Sequence, residues 1–138
     1  LSKRDLWMLG LGIYIGEGSK TIESIRISNS DPAIILISIK WLKEICGLSD
    51  NNLTLRLHLY PDNNINESQS YWSHITELPL THFRPPSIDR RTDKTLRRSG
   101  NLPFGTAHLS VIAKGDPAKG VKLYRRISGW ISGALNQV

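Results

Sequence analysis

The stretch LTLRLHLY, residues 53 to 60, constrains this 138-residue chain more than any other. Leu53, Leu55, Leu57 and Leu59 take every second position, and Thr54, Arg56, His58 and Tyr60 take the alternate ones. Successive side chains of a strand point to opposite faces, so this spacing specifies a half-buried strand with leucine inside. Its outer face then carries an arginine, a histidine and a tyrosine. A chain of this length forms one domain with a real core, so a single domain over residues 1–138 is expected.

The neighbouring segments supply punctuation. Ser2-Lys-Arg-Asp5 has the form of a capping box, and Leu6, Leu9 and Ile13 recur at helical spacing. This predicts a helix over residues 3 to 15, ended by Gly16 or Gly18. Residues 24 to 30 alternate, with Ile25 and Ile27 on one face and Arg26 and Ser28 on the other. Asp31-Pro32 reads as a helix cap followed by proline at the first helical position, and Gly47 as the stop after Cys46. A turn at residues 61 to 64 precedes a helix over 65 to 77, closed by Pro79. The segment HFRPPSIDRR holds an edge strand, to which its two prolines confine it. A strand over 105 to 113 follows. Asp116-Pro117 repeats the cap-proline signal before a last amphipathic helix ending near 135. The expected order is α-β-α-β-α-β-β-α, with Trp7, Trp41, Trp72 and Trp130 on helices and in the core.

Eighteen Lys and Arg against twelve Asp and Glu give a net charge of +6. That balance favours a polyanionic partner, nucleic acid ahead of an acidic membrane. No segment reaches the roughly 20 apolar residues of a membrane span, so no membrane partner and an intracellular setting (cytoplasm, nucleoid or organelle) are expected. The single Cys46 excludes an internal disulfide and a cysteine-based zinc cluster. A first residue other than methionine is read as either a trimmed chain or a piece of something longer.

One residue resists a structural explanation. Asp5, Asp31 and Asp116 sit at helix starts, where a carboxylate is favourable. Glu17 sits at a predicted helix end, between Gly16 and Gly18. Unpaired carbonyls make that end negative and repel a carboxylate by roughly 0.3–1 kcal/mol. The same oxygens, with the Gly16 carbonyl and the Glu17 carboxylate together, suit a hard divalent cation such as Mg²⁺. Gly12 and Gly16 are four apart and share a helix face. Each costs about 1 kcal/mol in a helix unless close packing offsets it. Packing against a second copy across a two-fold axis would bring two Glu17 side chains together.

GLGIYIGEG, Gly10 to Gly18, resembles the LAGLIDADG motif of homing endonucleases. Gly12 matches that family's first glycine, Gly16 its small seventh residue, Glu17 its metal-binding acid and Gly18 its last glycine. The resemblance implies an α+β, αββαββα-like fold: a curved antiparallel sheet forming a DNA saddle, with helices packed on one face. The short stretch after Glu17 implies a reduced first hairpin. A single motif implies a homodimer whose motif helices, with Met8, Gly12 and Gly16, form the interface. Each subunit would supply Glu17 to hold Mg²⁺ for hydrolysis of a long, near-palindromic double-stranded DNA site. Lys114, before the last helix, matches the place of a basic residue that stabilises charge at the phosphate.

The strand faces agree with such a reading. Arg26, Ser28, Arg56, His58, Tyr60, His108 and Ser110 make a plausible major-groove reader. Lys20 follows the motif. Arg84, Arg90, Arg91, Lys94, Arg97 and Arg98 would contact phosphates, which position without specifying. Lys119, Lys122 and Arg126 on the last helix could do the same. His74 and His82 read as ordinary, His58 and His108 show no metal-pair spacing, and no Ser-His-Asp arrangement can be argued. The alternative from another class is a non-cleaving DNA-binding regulator or an RNA-splicing maturase of the same fold. A nucleotide-binding enzyme would need a strand before Leu6.

Overall fold

The computed structural model describes residues 1–91 and 102–138. In chain order the elements are α1 (Lys3–Glu17), β1 (Arg26–Asn29), α2 (Pro32–Glu44), β2 (Leu53–Leu59), α3 (Ile65–Thr76), β3 (Ser87–Ile88), β4 (Thr106–Val111) and α4 (Val121–Leu135). This is the order read from the sequence. The strands form one sheet in the order β1-β4-β2-β3. β4 is antiparallel to both β1 and β2, whereas β3 runs parallel to β2. The α+β class stands, but the sheet is mixed, which corrects the expected all-antiparallel one. The chain reaches β3 through α3 and a helical turn, a crossover long enough to return in the same direction.

Leucines 53, 55, 57 and 59 are all fully buried, as their spacing requires. They join Ile25, Ile27, Ala107 and Leu109 from β1 and β4 in one apolar core. Leu6, Leu11 and Tyr14 of α1, Ile35, Trp41 and Leu42 of α2, Trp72 of α3 and Leu123 and Ile127 of α4 belong to it too. Trp41 and Trp72 are core residues as expected. Trp7 and Trp130 are only partly buried and meet edge to face, with ring centroids 5.9 Å apart.

The helix signals fold as chemistry dictates. Ser2 and Asp5 exchange reciprocal hydrogen bonds at the start of α1. Asp31 accepts from the Ala33 amide ahead of α2, and Gly47, at φ +74°, ends the following turn. Two boundaries differ from expectation. α1 continues to Glu17, and Gly18 ends it in an extended, not left-handed, conformation. A side chain at Gly18 would strike the Tyr14 ring, at 2.5 Å. At the other end of the chain, Asp116 caps a single turn, Pro117–Lys119. Gly120 then breaks the path before α4.

α1 has two unlike faces. At Gly10 a Cβ would lie 2.1–2.3 Å from the indole of Trp41, so the α1 backbone rests directly on that ring. At Gly12 and Gly16 a Cβ would meet nothing within 4 Å. Gly10→Ala is therefore expected to lower stability by about 1–3 kcal/mol through overpacking. Gly12→Ala, whose Cβ meets nothing within 4 Å among the described residues, is expected to keep or raise the stability of the monomer. Denaturant midpoints of the two variants check the contrast.

Candidate nucleic-acid interface

The alternation that buries leucine on one side of the sheet places polar side chains on the other, and the register orders them in rows. Arg26, Ser110 and Thr54 lie side by side across β1, β4 and β2. Ser28, His108 and Arg56 form the next row. Thr106, His58 and Ser87 form the third, across β4, β2 and β3. Arg26 and Arg56 are exposed, and with Arg84, Ser87 and His108 they line an open concavity of about 460 Å³. Among the described residues Arg26, Arg56 and Arg84 make no ion pair. Three guanidiniums held on a rigid polar sheet without acidic partners form a surface complementary to a polyanion.

Histidines stand in the middle of this face. His108 Nδ1 and Ser28 Oγ are hydrogen-bonded across β4 and β1. His58 Nδ1 and Ser87 Oγ are hydrogen-bonded at 2.9 Å across β2 and β3, and the two imidazoles meet edge to face at 6.3 Å. Burial, then the charges of Arg26, His58 and Arg56, holds the His108 pKa below its ordinary value. Asp89 is 6% exposed. It accepts two hydrogen bonds from the Arg91 guanidinium, at 3.0 and 2.8 Å. These bonds and the Arg91 amide push its pKa far below the usual carboxylate range. His58 Nε2 lies 3.7 Å from Asp89 Oδ2, an ion-pair distance too long for a hydrogen bond. Ser87, His58 and Asp89 thus converge, an arrangement that sequence reasoning missed. The signal available was the i, i+2 spacing of Ser87 and Asp89 on the edge strand. With its carboxylate engaged by Arg91, the trio lacks the orienting acid of a nucleophilic triad.

Tyr60 requires a correction. The alternation assigned it to the open face, but it is 3% exposed. The strand ends at Leu59, and Tyr60 and Asn63 hydrogen-bond to each other in the following turn. Arg84, Arg90 and Arg91 are exposed, and Arg91 is committed to Asp89. Lys94, Arg97 and Arg98 lie outside the described residues. On α4, Arg126 stacks over Trp130 at 5.2 Å. Arg125, not singled out from the sequence, pairs with Glu23.

The end of α1 is the second part of the site. Gly18 N–H donates to Tyr14 O, and Ser19 N–H turns away to Arg26 O. The last-turn carbonyls, that of Gly16 included, therefore lie beyond the helical ladder, beside the exposed Glu17 carboxylate. Lys20 folds back so that its ammonium donates to the Gly18 carbonyl at 3.1 Å. This cation offsets part of the repulsion that Glu17 meets at a negative helix end. Gly18 also bridges Ile27 of β1, and the Ser19 N–H bond to Arg26 O ties the chain between α1 and β1 to that strand.

Lys114 follows β4 ahead of the last helix, as its order in the sequence requires, but within one chain it is not at this end of the sheet. Gly18 is opposite Ile27, and Ile27 opposite Leu109. Leu109 to Ile112 alone spans about 10 Å of extended chain. Lys114 lies beyond that, at φ +54°, among Asn51, Leu53 and Thr81. The ammonium held at the end of α1 is that of Lys20, on the Gly18 carbonyl.

The donor set at Glu17 fits a hard, oxygen-seeking cation as a partial shell of one carboxylate and carbonyl oxygens. Among the described residues no group of three or more His, Cys, Asp and Glu gathers to hold a metal. Along α1, Met8, Gly12, Gly16 and Glu17 border one open apolar hollow that reaches Asn29 and Ile34. Met8 is 50% exposed there. Among the described residues, no helix is long and apolar enough to cross a membrane.

No protein-family model matches the chain, and neither the curated proteins nor the solved structures contain a significant match.

Asp89 generates a pH prediction. Its pKa is depressed in the folded chain, so its contribution to stability is present above the ordinary value of 3.8. That contribution is lost as pH falls below it. Asp89→Asn should lower the melting temperature at neutral pH. The gap from wild type should close on acidification, as followed by thermal denaturation across pH.

Proposed function

We propose that the protein is a site-specific DNA endonuclease of the LAGLIDADG type, acting as a homodimer with Mg²⁺ on a long, near-palindromic duplex. The observation that carries this reading is the open face of α1. Among the described residues, an added Cβ at Gly12 or Gly16 would meet nothing within 4 Å, and Glu17 ends the same helix. Two such helices meeting about a two-fold axis would bury the glycines and pair the carboxylates. Glu17 and the Gly16 carbonyl would then hold the cation, with Lys20 adjacent. Bound there, Mg²⁺ supplies Lewis-acid polarisation of the phosphate and activation of water. The polar sheet face would lie along the DNA, Arg26 and Arg56 reaching base edges and Arg84 and Arg90 reaching phosphate.

A second reading is a non-cleaving DNA-binding regulator or RNA-splicing maturase. It is favoured by the separation of Lys114 from Glu17 within one chain.

The discriminating experiment is cleavage of a randomised plasmid library in Mg²⁺, with Ca²⁺ and Glu17→Gln as controls. Cuts at one symmetric sequence, absent in both controls, support the endonuclease. Retained, salt-sensitive binding without cuts moves the assignment to the regulator or maturase. Glu17→Gln should abolish cutting and leave DNA affinity near wild type; an equal loss of binding would remove the metal role. Arg56→Ala should weaken recognition at one base pair of each half-site by about 1–3 kcal/mol. A uniform loss over all sequences would make Arg56 a phosphate contact.

A further inference from the structure

His108 is a half-buried titratable ring at the centre of a cationic surface. Arg56 is opposite it on β2 and Ser28 on β1, with Arg26 one row away. His58 meets the ring edge-on from β2. Arg84 and Ser87, before and within β3, share its concavity. Its neighbours along β4, Thr106 and Ser110, carry no charge. Among the described residues the carboxylate in this neighbourhood is Asp89, which lies behind His58 and is engaged by Arg91. Among the described residues the ring therefore faces guanidiniums without a carboxylate of its own, and these charges add to burial in disfavouring a proton on it.

A polyanion laid on the sheet would reverse that field. Phosphates or acceptor-rich base edges neutralise Arg26 and Arg56 and place negative charge near the ring. We propose that His108 is a proton-linked contact residue, neutral in the free protein and protonated when a polyanion covers Arg26 and Arg56, with Ser28 as its positioning residue. This rests on the nucleic-acid reading of the sheet face and not on cleavage. Ser28 Oγ can donate to Nδ1 of the neutral ring or accept from it when charged, so the hydrogen bond survives the change and the ring keeps its orientation. The sign follows from linkage. Binding raises the His108 pKa, so between the free and bound values each chain takes up a proton as it binds. Affinity then rises as pH falls.

The test is binding of a short duplex DNA, and separately of long-chain inorganic polyphosphate, from about pH 5 to 8 at constant ionic strength, the range in which histidine titrates. Wild-type affinity is expected to rise on acidification by up to about tenfold per pH unit per chain, the limit for one linked proton. His108→Gln, or His108→Asn if glutamine disturbs the sheet, should flatten the profile. Ser28→Ala should shift the window and Ser28→Thr should restore it. NMR titration of the free protein should find the His108 ring neutral at pH 7. Binding with a flat profile, or with a slope unchanged in the His108 variants, overturns this inference alone. A ring already protonated in the free protein does the same. A profile unmoved by Ser28→Ala removes the positioning role. Failure to bind either polyanion overturns both this inference and the nucleic-acid reading.

Discussion

The structure depends on the parity of β2. Four leucines of one parity are completely buried, each contributing roughly 1.5–3 kcal/mol by leaving water. Arg56 and His58 are of the other parity. A slip of one residue against β4 would drive a guanidinium and an imidazole into the core and expose the leucines, so the register is strongly specified. Everything on the polar face inherits that certainty. The rows that join Arg26 to Ser110 and Ser28 through His108 to Arg56 are by-products of a hydrophobic constraint on the opposite side.

A second constraint orients α1. With Gly10 pressed on Trp41 and Leu6, Leu11 and Tyr14 in the core, the rotation of the helix about its axis is set. Met8, Gly12 and Gly16 are then turned outward. An outward glycine in a helix lowers stability without an offsetting contact inside the chain. This local cost, at the helix that ends in Glu17, gives the proposed pairing of two copies its physical motive.

Much of this was legible in the sequence because it is local. The capping box, the cap-proline pair at Asp31-Pro32, the alternation in β1 and β2 and the buried Trp41 and Trp72 each follow from spacing within a few residues. The failures are non-local or concern boundaries. Two prolines marked residues 85 and 86 as sheet edge, but nothing nearby encodes that β3 runs parallel to β2. Tyr60 followed the alternation past the point where Asn63 bends the chain. Lys114 lies before the last helix as its order implies, but order along a chain does not give its distance from Glu17 across the sheet. The contact of His58 with Ser87 spans 29 residues and is invisible to periodicity. Gly10 was read only as the start of a motif, although a glycine facing a tryptophan two elements away is a packing signal.

The two margins of the sheet share a further property. On one side, Gly18 and Ser19 occupy the outer edge of β1. On the other, β3 is two residues long and preceded by Pro85 and Pro86, which have no amide hydrogen to offer. Among the described residues neither margin presents a long run of unpaired backbone on which another strand could add, which disfavours edge-to-edge polymerisation. Self-association by extending the ladder would first have to unpick one of these stops, which leaves helix surfaces as the easier ground on which copies can meet.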